Sequence, residues 1–401
     1  MSMKMKAFKG IKLSNMGFGA MRLPTLENGE IDEKQVFRMT DYAIEHGVNY
    51  FDTAYPYHGG KSEIVMGKAL KRHPRESFYL ATKFPGHQIR GKYKKDSIYD
   101  PATVFADQLK KCQVDYFDFY LMHNISDHAL DTYMDPEWGI FDYFIEQKKL
   151  GKIKYLGFST HGSIPCMAKV IEKYGEHLDF CQIQLNYLDW TLQNAMGKWK
   201  LLQDANMPIW VMEPLRGGKL ANLNEENTAK LKALRPDESI ASWGYRWLQG
   251  IPGVIMVLSG MSDFNQMVDN VKTFSEGESL KDNELDLLFD MAEGMKNAIP
   301  CTACRYCCAG CPKGLDIPNL LRIYNDFRYA PNLMTKLEVM GMKPEALPDA
   351  CIGCGKCRIA CPQNIDIPTE LKGLAKTIKE LPDWEKVCQQ RDAEQLAARQ
   401  I

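Results

Sequence analysis

The chain has 401 residues, 45% of them hydrophobic and 25% charged, the balance of an ordinary globular protein rather than of a disordered or fibrous one. Its net charge of −1 supplies no basic field for nucleic acid or an anionic membrane surface. The length leaves room for two or three domains. The longest apolar runs, such as residues 254–258, are far too short to span a bilayer, and the amino-terminal MSMKMKAFKGIKLS lacks the apolar core of a signal peptide. A cytoplasmic protein without nucleic-acid or membrane partners is expected.

After a short leader, residues 16–20 read as the first buried strand. Seven more apolar runs follow at 48–53, 78–82, 117–122, 154–158, 180–185, 208–211 and 254–258. Between them the spacing of apolar residues predicts helices near 33–46, 62–72, 102–113, 138–149, 164–174, 192–203 and 237–249. Eight apolar strands alternating with helices define an α/β fold and match a (β/α)8 TIM barrel. A doubly wound sheet is the competing arrangement, but no G-x-G-x-x-G follows the first strand.

Chemistry in such a barrel sits at the carboxyl ends of the strands. The polar residues there are Asp52 after VNYF, Lys83 after FYLAT, His123 after FYLM and Ser159 after YLGF. Gln182, Gln184 and Asn186 alternate along FCQIQLN and so share one face of a strand. Taken singly, Asp52 reads equally as a loop cap, Lys83 as a solvated surface charge and His123 as a satisfied buried histidine. Their joint placement at three successive strand ends, with Tyr57 five residues beyond Asp52, argues for a site.

The stretch FDTAYPYHGGKSEIVMGKAL resembles the aldo-keto reductase signature, in which a tyrosine follows an aspartate by five residues. LATKF supplies the family's lysine and LMHN its histidine, and GFGAMRLP, GFSTH and EPLRGGKL resemble further family segments. Tyr55, the nearest rival phenol, stands three residues from Asp52 and does not fit that spacing. The resemblance covers roughly residues 10–275. It implies hydride transfer between NADH or NADPH and a small carbonyl or alcohol substrate.

In that chemistry Tyr57 is the general acid, and the Lys83 ammonium draws its pKa down from about 10. Asp52 keeps Lys83 charged and in place, and His123 orients the carbonyl oxygen or assists proton relay. The resemblance further implies that Ser159 and Gln182 bind the nicotinamide carboxamide. It puts the loop 214–220, with Pro214, Leu215 and Gly218, across the pyrophosphate, and Gly260, Gln266 and Asn270 at the adenosine end. Met212 stands where the family stacks an aromatic ring on the nicotinamide. Gly260, Met261 and Gln266 occupy positions of the basic residues that read a 2′-phosphate. Arginine is the expected reader of that phosphate, so its absence favours NADH or weak discrimination.

The barrel is expected to occupy residues 1–275, followed by a charged helical connector at 276–298. Residues 301–368 then hold two copies of one pattern, CTACRYCCAGCPKGLDIP and CIGCGKCRIACPQNIDIP, in register at an offset of 50. Both read C-x2-C-x2-C-x3-C-P, the ferredoxin run that holds a [4Fe–4S] cluster. Three closely spaced thiolates reach irons of one cluster, and the fourth, ahead of a proline, ligates the other. Cys301, Cys304, Cys307 and Cys361 are thus assigned to one cluster, and Cys351, Cys354, Cys357 and Cys311 to its partner. Zinc is the blander reading, but it usually takes two cysteine pairs rather than a run of three. Disulfides need an oxidising compartment. Cys112, Cys166, Cys181, Cys308 and Cys388 fall outside the ligand pattern and read as free thiols.

The long insert 319–350, with NLLRIYNDFRY, predicts a mainly helical ferredoxin-like domain at 299–370. Residues 371–401 read as a helical tail broken near Pro382. Two clusters can store the pair of electrons that a nicotinamide carries, but exchanging that pair with hydride normally wants a flavin or a radical-tolerant substrate. No motif signals a flavin, although a barrel mouth holds one without a short motif. The leading expectation is an oxidoreductase whose clusters exchange electrons with the barrel site or with an external ferredoxin or flavodoxin-type carrier. A carbonyl reductase with structural or partner-docking clusters is the alternative. A third reading is an electron-transfer protein with a non-catalytic barrel, against which the Asp52–Tyr57–Lys83–His123 set argues.

Overall fold

The computed structural model describes residues 3–381 except 90, 96, 128, 224, 277, 296–298, 300, 302–304, 330–332 and 362–364. Cys304, Cys388 and the part of the tail beyond residue 381 lie outside the described residues. The leader is a hairpin, β1 (Met5–Phe8) and β2 (Ile11–Ser14), turned by Lys9 and Gly10 at positive φ. Eight strands follow: β3 (Met16–Gly19), β4 (Tyr50–Asp52), β5 (Tyr79–Phe84), β6 (Phe117–Ile125), β7 (Ile153–Thr160), β8 (Phe180–Gln184), β9 (Ile209–Met212) and β10 (Val254–Gly260). They close in order, every pair parallel, with β10 against β3. The expected TIM barrel is what forms.

These segments become strands because they are buried on both faces and read as near-continuous apolar runs. The helices between them start where the sequence supplies a cap. Asp32 accepts from the Gln35 amide at 3.1 Å, Asp100 precedes Pro101 and accepts from the Thr103 amide at 3.0 Å, and Ser163 accepts from the Cys166 amide at 3.3 Å.

Inside the barrel, Tyr50, Phe119, Phe180 and Trp210 form an aromatic layer, closed at its amino-terminal end by Phe8 of the hairpin. The Phe8 ring lies 4.9 Å from Trp210 and 5.1 Å from Tyr155. Moving two residues along a strand keeps the side chain facing inward. So Tyr50 leads to Asp52, Leu121 to His123 and Phe180 to Gln182. The polar set therefore sits on a packed aromatic floor, facing the carboxyl-terminal mouth.

The helix Asp282–Met295 packs Leu288, Met291 and Ala292 into the barrel's own apolar core. Beyond residue 298 no strand occurs among the described residues. The helices Ile317–Tyr329 and Ile367–Lys379 each begin at an Asp-Ile-Pro and pack on one another. Their Leu320, Leu321, Leu371 and Leu374 join Cys307 and Cys357 in a second, separate core. No described helix is long and apolar enough to cross a membrane.

Candidate functional site

Lys83 lies at the centre of the mouth, with its side chain fully buried. Its ammonium donates to Asp52, to the Thr53 carbonyl at 2.7 Å and to the Tyr57 hydroxyl at 3.4 Å. Tyr57 rides on a turn with His58, Gly59 and Gly60 all at positive φ, tied to the segment that follows β3 by the Leu23 amide donating to His58 Nε2 at 3.1 Å. The His123 ring stands 5.7 Å from the Tyr57 ring, edge to face. Its backbone carbonyl accepts from Tyr133 at 2.5 Å and from His87 Nδ1 at 3.0 Å, which fixes that end of β6. All four expected residues are therefore brought together. Tyr55 faces the helix layer instead, with the Lys111 ammonium 4.3 Å from its ring centre.

The electrostatics differ in one respect from the sequence expectation. Burial pushes the Tyr57 phenol up from its ordinary value; Lys83 pulls it down without overcoming that, and Asp52 adds to the rise. For Lys83, burial works against the charge, but Asp52 and then Tyr57 more than offset it, so the ammonium persists. Tyr57 thus keeps its proton, as a proton donor must.

The expected cofactor residues divide into two groups. Gln182 is buried, and its Oε1 has no hydrogen-bond partner, an orphaned acceptor where a carboxamide N–H would fit. Ser159 Oγ accepts from the Asn124 amide at 2.8 Å beside it. Pro214 and Leu215 lead into a turn, Arg216–Ala221, where Gly217 and Gly218 take φ of 69° and 95°. The Gly218 amide donates to the Leu215 carbonyl at 2.9 Å, which closes the turn, and neither glycine position tolerates a side chain without strain. Gly260 lies against the Arg22 side chain, and Gln266 is exposed, accepting from the Ser262 amide at 2.8 Å. Asn270, by contrast, is buried and donates to Ser259 Oγ at 2.9 Å.

Three residues escaped the sequence reading. Arg22 reaches between Gly217 and Gly260. Asp189, fully buried, accepts from Gln184 and Asn186, each at 2.7 Å, and pairs with Arg216 at 3.2 Å. Glu213, just ahead of Pro214, is pushed up to about 7 by burial and then by Asp189, against Arg216 and Arg22. Only the alternation of Gln184 and Asn186 hinted at this network.

In the carboxyl-terminal domain, Cys311, Cys351, Cys354 and Cys357 line one cavity, the set assigned to a single cluster across the two copies. Cys307 shares the domain's core with Cys301, Cys308 and Cys361 packed against it. Among the described residues no three Cys, His, Asp or Glu side chains are gathered closely enough for a single metal ion. A cubane binds each thiolate at a different iron, so its ligands stand wider apart than those of one ion, and an all-thiolate lining suits it.

The chain belongs to the aldo/keto reductase family: that family's model matches residues 15–290, and the 4Fe-4S dicluster domain model matches residues 300–365. The protein is thus an oxidoreductase-family barrel joined to an iron–sulfur domain. Among related proteins, probable aldo-keto reductase 1 of Glycine max is 34% identical over 157 residues, 38% of this chain and 42% of that protein. The NADH-specific methylglyoxal reductase of Escherichia coli (strain K12) is 26% identical over 325 residues, 71% of this chain and 97% of its own. An aldo-keto reductase from Bacillus halodurans, solved in its holo form, superimposes with a TM-score of 0.55 at 26% identity, over 72% of this chain and 96% of that one. One from Klebsiella pneumoniae, solved with NADP and acetate, shares the fold at a TM-score of 0.57 and 20% identity, over 73% and 96%.

Proposed function

We propose that the protein reduces a small carbonyl compound, or oxidises the corresponding alcohol, with NADH or NADPH, and that its iron–sulfur domain, holding two [4Fe–4S] clusters, passes electrons to or from the same site or an external carrier. The observation that carries the first half is the buried Lys83 ammonium, held between Asp52 and Tyr57 at the mouth of the barrel.

When bound, the nicotinamide supplies or accepts a hydride at the carbonyl carbon. Tyr57 holds the proton that the developing alkoxide needs, at Oη, on the rim rather than in the floor. Lys83 lowers the cost of the phenolate left behind, and Asp52 keeps that ammonium charged and fixed. His123 offers a donor to the carbonyl oxygen from the neighbouring strand end. Gln182 Oε1 and Ser159 would hold the carboxamide, and the turn through Gly217 and Gly218, with Arg22 beside it, the pyrophosphate. The E. coli relative's NADH specificity and the lack of an arginine at Gly260, Met261 and Gln266 both favour NADH. In the other domain, the eight cysteines would hold the clusters, which supply electrons one at a time. A ferredoxin or flavodoxin-type protein is the carrier of matching chemistry.

Tyr57→Phe tests the barrel chemistry. It is expected to lower carbonyl turnover by about 10²–10⁴-fold while leaving dinucleotide binding intact. Full activity in that variant would overturn the assignment. Anaerobic addition of NADH to the reconstituted protein, without substrate, tests the second half. Bleaching of the visible cluster band is expected; an unchanged band with carbonyl turnover intact would leave a reductase whose clusters serve structure or docking.

A further inference from the structure

The helix Lys61–Leu70 begins directly after the turn that carries Tyr57, and Ser62 and Glu63 in its first turn are both fully buried. Ser62 Oγ lies 2.9 Å from Thr53 Oγ1 and donates to the Ala20 carbonyl at 3.0 Å. Thr53 is the residue whose own carbonyl accepts from the Lys83 ammonium. Glu63 reaches the next strand. Its Oε1 accepts from Thr82 Oγ1 at 2.5 Å and from Gln108 Nε2 at 2.7 Å, and Gln108 Nε2 also donates to the Lys83 backbone carbonyl at 3.1 Å. Tyr120 donates to Gln108 Oε1 at 2.5 Å, which turns the amide so that its N–H groups face Glu63 and Lys83.

Alternation along β5 turns Lys83 into the mouth and Thr82 out to the helix layer, so Glu63 grips the lysine's strand from behind. One stretch, residues 52–63, therefore carries Asp52, Tyr57 and the clamp on Lys83. A buried carboxylate needs compensation. The other oxygen of Glu63 faces the Lys111 ammonium at 3.9 Å, and Lys111 pairs in turn with Asp107 at 2.8 Å. Burial pushes the Glu63 carboxyl up, and Lys111 leads the groups that oppose the rise. The clamp holds in either state, because both bonds fall on Oε1. The Tyr57 hydroxyl, 3.4 Å from the Lys83 ammonium, stands at the outer limit of a hydrogen bond, so a small displacement of the helix is enough to lose it.

The geometry assigns Glu63 as a positioning residue for proton transfer. By tying the helix that follows Tyr57 to Thr82 and, through Gln108, to Lys83, it sets the spacing between the phenol and the ammonium. It acts only through these bonds, from the far side of β5. This rests on the reductase reading given above, and the experiment separates the two.

Glu63→Met fills the space without the acceptor and strands no cation, since Lys111 keeps Asp107. Thr82→Val removes one bond of the clamp at nearly constant volume, and Thr82→Ser keeps it. Turnover is measured on the full-length, cluster-loaded protein with NADH or NADPH and 4-nitrobenzaldehyde as the probe carbonyl, and dinucleotide binding by calorimetry. In Glu63→Met kcat should fall by about 10–100-fold, the scale of a misplacement of about 1 Å or less, and Thr82→Val should move in the same direction. The KM for the aldehyde, the dinucleotide Kd and the iron content should stay at wild-type values. The solvent deuterium isotope effect on kcat should grow in both variants, because proton delivery becomes the slow step, and Thr82→Ser should match wild type in both respects. A role confined to stability would lower Tm and leave the kcat of the folded enzyme unchanged. Wild-type kcat and isotope effect in Thr82→Val would overturn the assignment while leaving the reductase reading standing, even where Glu63→Met fails to fold. A wild-type protein inert toward the aldehyde with both nucleotides would overturn both.

Discussion

Replacing Lys83 by methionine isolates the energetics of the buried pair on which the site depends. Asp52 and Lys83 have side chains 3% and 0% exposed, so water compensates neither partner once the other is gone. Removing one member of such a pair costs about 3–5 kcal/mol, because the remaining charge stays buried and alone. The Thr53 carbonyl, which accepts from Lys83 at 2.7 Å, loses its partner as well and adds about 1 kcal/mol.

The cost must depend on pH, and its sign follows from Asp52. Burial already pushes that carboxyl up and Lys83 only opposes it, so without Lys83 the rise is unopposed. A carboxyl with a raised folded-state pKa stabilises the fold below its unfolded pKa, and loses that contribution as pH rises through the folded value. Lys83→Met should therefore fall furthest below wild type near about pH 8 and approach it near about pH 4–5. Adding Asp52→Asn removes the stranded charge and should recover most of the loss. Urea unfolding of the barrel, followed by tryptophan fluorescence at both pH values, measures all three variants. A loss independent of pH, or a double variant no more stable than Lys83→Met, refutes the reasoning.

Other consequences are as direct. Gly67→Ala would bring a methyl group within 2.5 Å of the Lys111 carbonyl, where the helices Lys61–Leu70 and Pro101–Cys112 touch; thermal denaturation should show a loss of about 1–3 kcal/mol. Glu213, at about 7, is largely neutral below that pH and anionic above it, beside the expected pyrophosphate. Dinucleotide affinity should fall between about pH 6 and pH 8, and Glu213→Gln should flatten that dependence in calorimetry. Cys311→Ser should remove the same cluster as Cys354→Ser, so iron per chain falls from about eight to about four in both, and the double variant falls no further.

The barrel was legible because strands buried on both faces announce themselves as apolar runs, and eight of them alternating with helices, with no dinucleotide glycine motif after the first, fit a barrel better than a doubly wound sheet. The tetrad was legible because its members stand at strand ends with a distinctive spacing. The hairpin that floors the barrel was passed over as a leader because Lys9 stands at positive φ where Asn, Asp or Gly would have signalled the two-residue turn, leaving only Gly10 between MKAF and IKLS to mark it. Glu213, Arg22 and Asp189 were not legible, since each owes its role to burial beside a residue distant in sequence. Tyr57 shows the same limit in energetic form. Its neighbour Lys83 could be read from the chain, but the burial that outweighs Lys83 could not.

The seam between the domains bears on what the clusters are for. Had the iron–sulfur domain only to stabilise the barrel, an apolar contact would serve better, because exchanging buried ion pairs for well-packed hydrophobic residues is often neutral or stabilising. Instead the helix Ile317–Tyr329, whose Arg322 pairs with Asp326 at 3.0 Å, packs against the short helix Asp189–Leu192, whose Asp189 pairs with Arg216 at 3.2 Å, so buried ion pairs flank the contact on both sides. What such a contact supplies is a single orientation, since charges and hydrogen bonds fit in one register and apolar faces slide. The helix Asp282–Met295, anchored in the barrel core, removes further freedom from the chain entering the second domain. Electron exchange with the barrel site, as proposed above, depends steeply on distance. Such exchange demands a fixed pose, which a mere tether or stabilising patch does not.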